Sequence, residues 1–506
     1  MRQHLKTLSI LSLVILITPL ISCKKILEQE PKNSTYLEKF WKSASDARSA
    51  LAGNYALLRN ACTDKENRYY LYGDAIAKNY FTIQYTGDGL EGIQNGDFTF
   101  QYNLNSLANY TLYYKTIAMS NIVIANVSKM TNAQLKDTDD PTAFKNNIMG
   151  QAMFIRALSY FMMVRVWGDV PLVTTAYDDP ITAPQLPRSS RADVMKQIET
   201  DCRNAINLLT WNYINIGDAK VTANKGSAYA LLAHLYLWRA TMSDVSQDTP
   251  NLTDVNNADT TITTLIQKGG YSQTDTANYK STFVGRSSDG IFEINMSENT
   301  LEGSNSSIGT RFLSGAYINT YSNNPRFYVV PRYLSDQFGS NSKDIRFTKN
   351  FDLSNPERPI CTKYSNVIYR NPGQKLDAYL SNNMIIFRLS DMKLLKAEIA
   401  LYKNDAATAT TIINEFRTRN NPNPTLVPNG LSVSRVMDEY IKERSKEMYL
   451  EGHLFFDLLR TRRYGNVVDW LTETRFRREG FYWPVDPALF RENPNLKQTT
   501  YWLGKV

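Results

Sequence analysis

Glu443, Glu447 and Glu451 recur every four residues, a spacing that sets three carboxylates on one helix face. Neighbouring carboxylates can act as acid and base in hydrolysis, so a secreted glycosidase or peptidase is one reading of the chain. Three like charges in a row also repel one another unless cations intervene. Arg444, Lys446, Arg460 and Arg388 stand in the surrounding motifs as possible partly buried partners. Such pairs favour a defined arrangement more than raw stability. Structural pairing is the expectation for this row, with Arg156 and Asp457 placed in the same structural class.

Other chemistry-bearing residue types are sparse. Beyond His4, the chain has only His234 and His453. That count excludes a histidine-rich metal site. A Ser/His/Asp triad would need one of the two, and neither lies near a G-x-S-x-G elbow. His234 sits in an apolar helical run with Leu231, Leu232, Leu235 and Trp238, where a packed core histidine is the default. The cysteines, Cys23, Cys62, Cys202 and Cys361, show no metal spacing such as C-x-x-C. With Cys23 set aside for the role argued below, one bridge among the other three stays open. No catalytic residue, metal or cofactor is expected.

The elements that must position these groups read mainly as α-helix. Apolar residues at helical spacing mark segments near Ala44–Arg59, Thr111–Val127 and Thr142–Trp167, the last stopped by Gly168-Asp169-Val170-Pro171. Ser190 with Asp193 opens a helix to Leu209, Thr222 is positioned to cap the next one to Trp238, and another runs from Asn256 to Lys268. Late helices span Leu389–Tyr402, Ala406–Thr418 and Val436–Tyr449. Paired amphipathic helices are how tetratricopeptide-type repeats stack, although no clean period of about 34 residues is present. Residues 272–384 differ, being rich in Asn, Ser, Gly and Tyr with short strand-like pieces such as Gly290–Asn295. The expectation is a helical scaffold over 23–271 and 385–506 carrying an irregular, loop-rich insertion over 272–384.

Hydrophobic residues make up 42% and charged residues 21%, ordinary for a globular protein. The formal net charge of +8 falls to +6 without Arg2 and Lys6, and no basic stripe suggests nucleic acid. Arg2 and Lys6 precede an apolar run from Leu8 to Ile21, short of the ~20 residues of a membrane span. The run ends in Leu20-Ile21-Ser22-Cys23, which resembles the bacterial lipobox. That resemblance implies removal of residues 1–22 and lipid on Cys23, anchoring the body to a membrane it does not span.

Several ordered blocks go further. The first is Gly150 to Phe161, with Arg156 and Tyr160, closing on Gly168-Asp169-Val170-Pro171. The second joins Asp344-Ile345-Arg346, Arg388-Leu389-Ser390-Asp391, Ala397-Glu398 and Arg417-Thr418-Arg419. The third is Glu443-Arg444, Glu447, Glu451-Gly452, Phe456-Asp457 and Arg460, and the last Trp483-Pro484 with Asn493-Pro494-Asn495. With the lipobox and Phe40-Trp41-Lys42, these blocks resemble the SusD/RagB family of outer-membrane nutrient-binding lipoproteins over nearly the whole mature chain. Gln151 and Asp391 depart from it where Glu is usual, Ile399 where Ala is usual, and Leu454 where Arg is common.

The resemblance implies a non-catalytic protein, facing the exterior, that captures an oligomeric nutrient for a SusC-like TonB-dependent outer-membrane transporter. It also implies ligand contacts in two windows, about 67–114 and 283–333. Both are aromatic-rich, and Tyr69, Tyr72, Asp74, Tyr80, Tyr85, Tyr102, Tyr317 and Tyr321 are the candidates within them. A tyrosine ring stacks on a sugar face while its hydroxyl bonds a sugar hydroxyl, so a glycan is the favoured ligand. None of the seven tryptophans falls in either window, which keeps a peptide ligand open. A scaffold that binds only other proteins is the remaining alternative.

Overall fold

The computed structural model describes residues 40–64, 67–84, 89–99, 105–177, 183–296, 302, 307–339 and 342–506. Local chemistry sets the helix starts. Ser43 and Asp46 form a reciprocal capping box that opens α1 (Ala44–Thr63). α2 (Thr111–Lys129) follows, then α3 (Pro141–Trp167), where the Asp140 carboxylate accepts from the N–H groups of Thr142 and Ala143, both at 2.9 Å. Ser190 caps α4 (Arg191–Leu208) as its sequence suggests. Asn224, and not Thr222, caps α5 (Lys225–Met242): its side-chain oxygen accepts from Ser227 N–H at 3.0 Å, while the Thr222 hydroxyl donates to Asp218 O. α6 (Leu252–Lys268) starts earlier than its apolar period implies because Asn251 caps it.

Each of these helices packs on its neighbour in order, α1 on α2 and α3, α3 on α4, α4 on α5 and α5 on α6. The stack then crosses the intervening region to α8 (Leu389–Tyr402), α9 (Ala406–Asn420) and α10 (Val433–Glu447), with α6 against α8. α11 (Leu454–Thr461) closes back on α5 and α10. The fold is mainly α, a curved run of helix pairs. Trp167, Tyr160 and Trp238 are wholly enclosed, each burial contributing roughly 1.5–3 kcal/mol.

Between α6 and α8 lie short helices, among them α7 (Pro331–Phe338), and short strands that pair only two by two, with β1 coming from the earlier part of the chain. β1 (Phe81–Ile83) pairs antiparallel with β3 (Phe327–Val329), and β2 (Gly290–Ile294) with β8 (Met384–Arg388). β4 (Phe351–Asp352) pairs with β5 (Ile360–Cys361), and β6 (Val367–Asn371) with β7 (Leu376–Leu380). Cys62, Cys202 and Cys361 are buried free thiols.

One expectation needs correction. The helix carrying Glu443 and Glu447 ends at Glu447, and Leu450 (φ 56°) and Gly452 (φ 78°) turn the chain sharply. Glu451 therefore sits in that turn and not on the helix face. The turn is packed against a helical segment, Arg68–Tyr70, that widens into a π-turn over Leu71–Ala75. Only glycine fits where they touch, since a Cβ on Gly73 would lie 2.1 Å from Gly452 O.

Candidate functional site

The acidic row is the centre of a buried ion network. The Arg388 guanidinium donates to Glu451 at 2.8 Å, to Glu447 at 2.9 Å and to Asp289 at 3.0 Å. Lys363 Nζ donates to Glu451 at 2.6 Å, and Arg346 pairs with Glu443 at 2.7 Å, with Glu447 at 3.1 Å and with Asp344 at 2.7 Å. Lys446 pairs with Glu443 at 2.9 Å. Burial alone would raise the Glu447 carboxyl, but the guanidiniums of Arg388 and Arg346 outweigh it and hold it at about 2. Arg444 points the other way, to Asp391 at 2.8 Å and Asp457, and Arg460 bonds Glu398 and Asp457 at 2.7 and 2.8 Å. Arg156 grips Asp201 through two nitrogens, at 2.6 and 2.8 Å. Each of these charged groups is enclosed and faces an opposite charge, so the network positions elements and presents nothing to a substrate.

Sequence reasoning found most of the acids but missed Lys363 and Asp289, which arrive from loops far along the chain. It also missed that His234 Nε2 lies 2.7 Å from Asp391 Oδ2, with the His453 ring stacked 5.5 Å away. His234, Asp391 and His453 form a group among the described residues whose ligand atoms lie close enough, within 4.8 Å, to share a cation. Arg444 already pairs with the other Asp391 oxygen, and its charge disfavours a second cation there.

The candidate ligand residues separate into three groups. Tyr69, Tyr72 and Asp74 are core residues, which corrects their reading as ligand contacts. Tyr69 lies edge-on to Tyr70, Tyr72 donates to Leu107 O at 2.5 Å between Trp167 and Trp483, and Asp74 accepts from Gly452 N–H at 2.7 Å. Burial drives the Asp74 carboxyl up to about 8, the Gly452 N–H offsetting only part. Tyr80 is enclosed as well, its ring against Tyr333 and Tyr449 at 4.8 and 5.1 Å. Tyr85 and Tyr102 lie outside the described residues, as does Cys23. Tyr317 and Tyr321 remain half-exposed on a small apolar cluster of Leu313, Ile318 and Leu380. The Tyr317 hydroxyl donates to Asp352 at 2.5 Å, and the β6–β7 hairpin leans on this turn through Tyr369, which donates to Tyr317 O.

The two windows meet. Phe81, Thr82 and Ile83 of the first pair with Val329, Tyr328 and Phe327 of the second, and Phe81 stacks on Phe327 at 4.9 Å. Beside this ladder lies a cleft of two hollows of about 620 and 510 Å³, with Asn79 and Val330 lining both. Tyr80 and Tyr333 form its floor between α7 and α10. Tyr80 of its floor is a sequence candidate, and Asn79, Thr82, Val330 and Tyr333 lie within the two windows, but Ile441, Asn466 and Val467 are brought to it only by the fold.

A helix-pair scaffold, an enclosed ion network and an aromatic-bearing irregular face define a binding protein built on tetratricopeptide-like packing. Comparison with known proteins agrees. Residues 27–237 match the family pattern SusD-like_3, described as "Starch-binding associating with outer membrane", and residues 340–502 match the SusD family pattern SusD_RagB. SusD-like protein P38 of Formosa agariphila is 26% identical, the alignment covering 98% of this chain and 99% of that protein. A SusD homolog from Bacteroides thetaiotaomicron superposes with a TM-score of 0.77 at 24% identity, over 91% of this chain and 98% of that one. NanU of Bacteroides fragilis superposes with a TM-score of 0.73 at 20% identity, over 93% and 99%. The chain belongs to the SusD/RagB family. That family is one of outer-membrane-associated binding proteins, and no helix among the described residues is long and apolar enough to cross a membrane.

Proposed function

We propose that this protein is a surface-exposed outer-membrane lipoprotein, anchored by lipid on Cys23, that binds an oligomeric glycan without chemistry and delivers it to a SusC-like TonB-dependent transporter. The observation that carries the reading is the β1–β3 ladder, which joins two aromatic windows far apart in sequence into one face. Tyr317 and Tyr321 stand half-exposed in the second window, with rings suited to sugar stacking, and Asp352 fixes the Tyr317 ring through its hydroxyl.

Isothermal titration against a panel of oligosaccharides tests the binding half. Tyr317→Ala and Tyr321→Ala are each expected to weaken the best binder by about tenfold, roughly one stacking contact. Unchanged affinity in both variants would remove the face from the reading. Gentle detergent extraction tests the other half, since a large β-barrel should co-purify with the wild-type chain, and Cys23→Ala should release the protein from the membrane fraction.

A further inference from the structure

Ile214 and Ile216 are the most exposed large aliphatic side chains among the described residues, at 72% and 82%. Single exposed aliphatics are common on soluble proteins and need no explanation. This pair sits on a turn that is built to hold it out. The Asn215 side-chain oxygen accepts from Gly217 N–H at 2.9 Å, and its amide donates to Asp218 at 3.1 Å. Trp211 stacks on Tyr229 at 5.2 Å, Asn224 donates to Trp211 O at 2.8 Å, and the Arg286 guanidinium donates to Gly217 O. Glu293 N–H donates to Lys220 O at 2.8 Å, so strand β2 fastens the far side of the loop. The turn is fixed while its two isoleucines stay in water, so little ordering cost remains when the pair is buried.

The place of the turn says what covers it. α4 runs in the opposite direction to α3. Arg191 N–H, at its start, donates to Asp169 just beyond the end of α3, and a Cβ on Gly150 of α3 would lie 2.8 Å from Leu209, at its end. The loop between α4 and α5, residues 209–224, therefore leaves the stack towards the end where α3 begins. α1 begins at that same end: Ala44 N–H donates to Asp137 at 3.1 Å and Trp41 O accepts from Gln134 at 2.7 Å, both in the connection from α2 to α3. The Tyr55 hydroxyl of α1 accepts from Ala223 N–H at 2.8 Å and ties the loop to α1. The described body begins at Phe40, so the segment leading back to Cys23 is rooted at the end from which Ile214 and Ile216 project. Arg286 and Lys225 flank the loop and suit lipid phosphates, while Asp218 is the loop's one acid.

We propose that the α4–α5 loop is a second membrane contact, in which Ile214 and Ile216 enter the interfacial zone of the bilayer and fix the orientation of a body otherwise held only by the lipid on Cys23. This rests on the lipid-anchoring reading above and adds the surface of the folded body that meets the bilayer. Two side chains bind weakly, since even a whole myristoyl chain gives an association constant of only about 10⁴ M⁻¹. The loop orients the body and does not retain it, so Cys23→Ala still frees the protein from washed membranes.

The test is flotation of the full mature chain carrying Cys23→Ala with vesicles of phosphatidylethanolamine and phosphatidylglycerol in large lipid excess. Part of the protein should float, and Ile214→Ser combined with Ile216→Ser should cut the partition coefficient by about tenfold. Leu252→Ser removes an exposed leucine at the other end of α5, where Asn251 N–H donates to Ala240 O, and should change nothing. All three side chains are exposed, so the variants should keep the parent melting temperature. Cys62, Cys202 and Cys361 are buried, so Ile214→Cys in the same background takes a polarity-sensitive dye alone, and its emission should shift to the blue on vesicles. Equal partition of the double variant and Leu252→Ser would overturn the loop contact and leave lipid anchoring standing. So would a Cys23→Ala chain that never floats while the wild type stays anchored. Loss of a co-purified β-barrel in the double variant, with no vesicle binding by the parent, would overturn the lipid assignment in favour of a protein partner. Flotation that depends on the isoleucines, in a wild-type chain whose Cys23 carries no acyl mass, would sink the anchoring reading alone.

Discussion

Arg388 is the residue on which most depends. It faces three carboxylates, Glu447, Glu451 and Asp289, none of which has water to fall back on. Arg388→Met should destabilise the fold by about 3–5 kcal/mol, because removing one partner leaves buried charge uncompensated. Urea unfolding reads this directly, and an unchanged midpoint would show that the network is dispensable. Glu447, held at about 2 against an ordinary 4.5, contributes stability that is complete above 4.5 and is lost as pH falls towards 2. Asp74 has the opposite sign. Its carboxyl, raised to about 8 by burial, keeps a proton that the unfolded chain releases above 3.8, so stability declines as pH rises from about 4 to 8. Asp74→Asn cannot ionise, and should gain about 1 kcal/mol or more over the parent at about pH 9 while differing less near pH 5. Equal pH slopes for the two proteins would contradict an enclosed, protonated Asp74.

Elements were legible where period and cap agree. α3 falls within a residue of its sequence reading because the Pro141 start and the Gly168 stop are local, and α4 does so because Ser190 caps it; α8 matches its apolar period although Arg388 gives it no side-chain cap. α5 misled because two capping residues, Thr222 and Asn224, lie two positions apart, and only tertiary contact with Trp211 and Tyr271 selects Asn224. The three-residue β1 and β3 could not be read at all, since each exists only by pairing with the other. The aromatic windows were legible as composition, but composition does not distinguish Tyr72, packed between Trp167 and Trp483, from the half-exposed Tyr321. The contact of the π-turn with the Gly452 turn is an element-level constraint with a sharp test. Gly73→Ala places a Cβ against backbone that cannot move aside and should cost about 3 kcal/mol. Gly53→Ala meets nothing within 4 Å on α1 and should instead stabilise by about 0.5–1 kcal/mol. Thermal or urea midpoints of the pair decide it; similar effects in both variants would mean the close approach is not rigid.

At the scale of the whole molecule, the fold keeps its two kinds of polar chemistry apart. Buried carboxylates and guanidiniums tie α8, α10 and α11 to the insertion, while amides, hydroxyls and half-exposed rings gather along the ladder and its cleft. The scaffold followed from sequence because each helix is defined by its neighbours in the chain. The face along the ladder was legible only as two separate aromatic windows, because the β1–β3 pairing that joins them links distant segments.

That distance bears on how the protein comes into being. Gly452 N–H reaches Asp74 across 378 residues, and Tyr449 reaches Tyr80 O across 369. At roughly 5–20 residues per second, synthesis of the later segment trails the earlier one by tens of seconds. Throughout that interval Tyr80 lacks Tyr333 and Tyr449, Tyr72 lacks Trp483 and Tyr69 lacks the Gly452 turn, so the first aromatic window is sticky, unfinished surface. Completion of the early part of the chain is therefore timed by the arrival of the last. Long-range closure of this kind slows folding and favours keeping the chain extended in the hands of a holding chaperone until the turn at Gly452 is available.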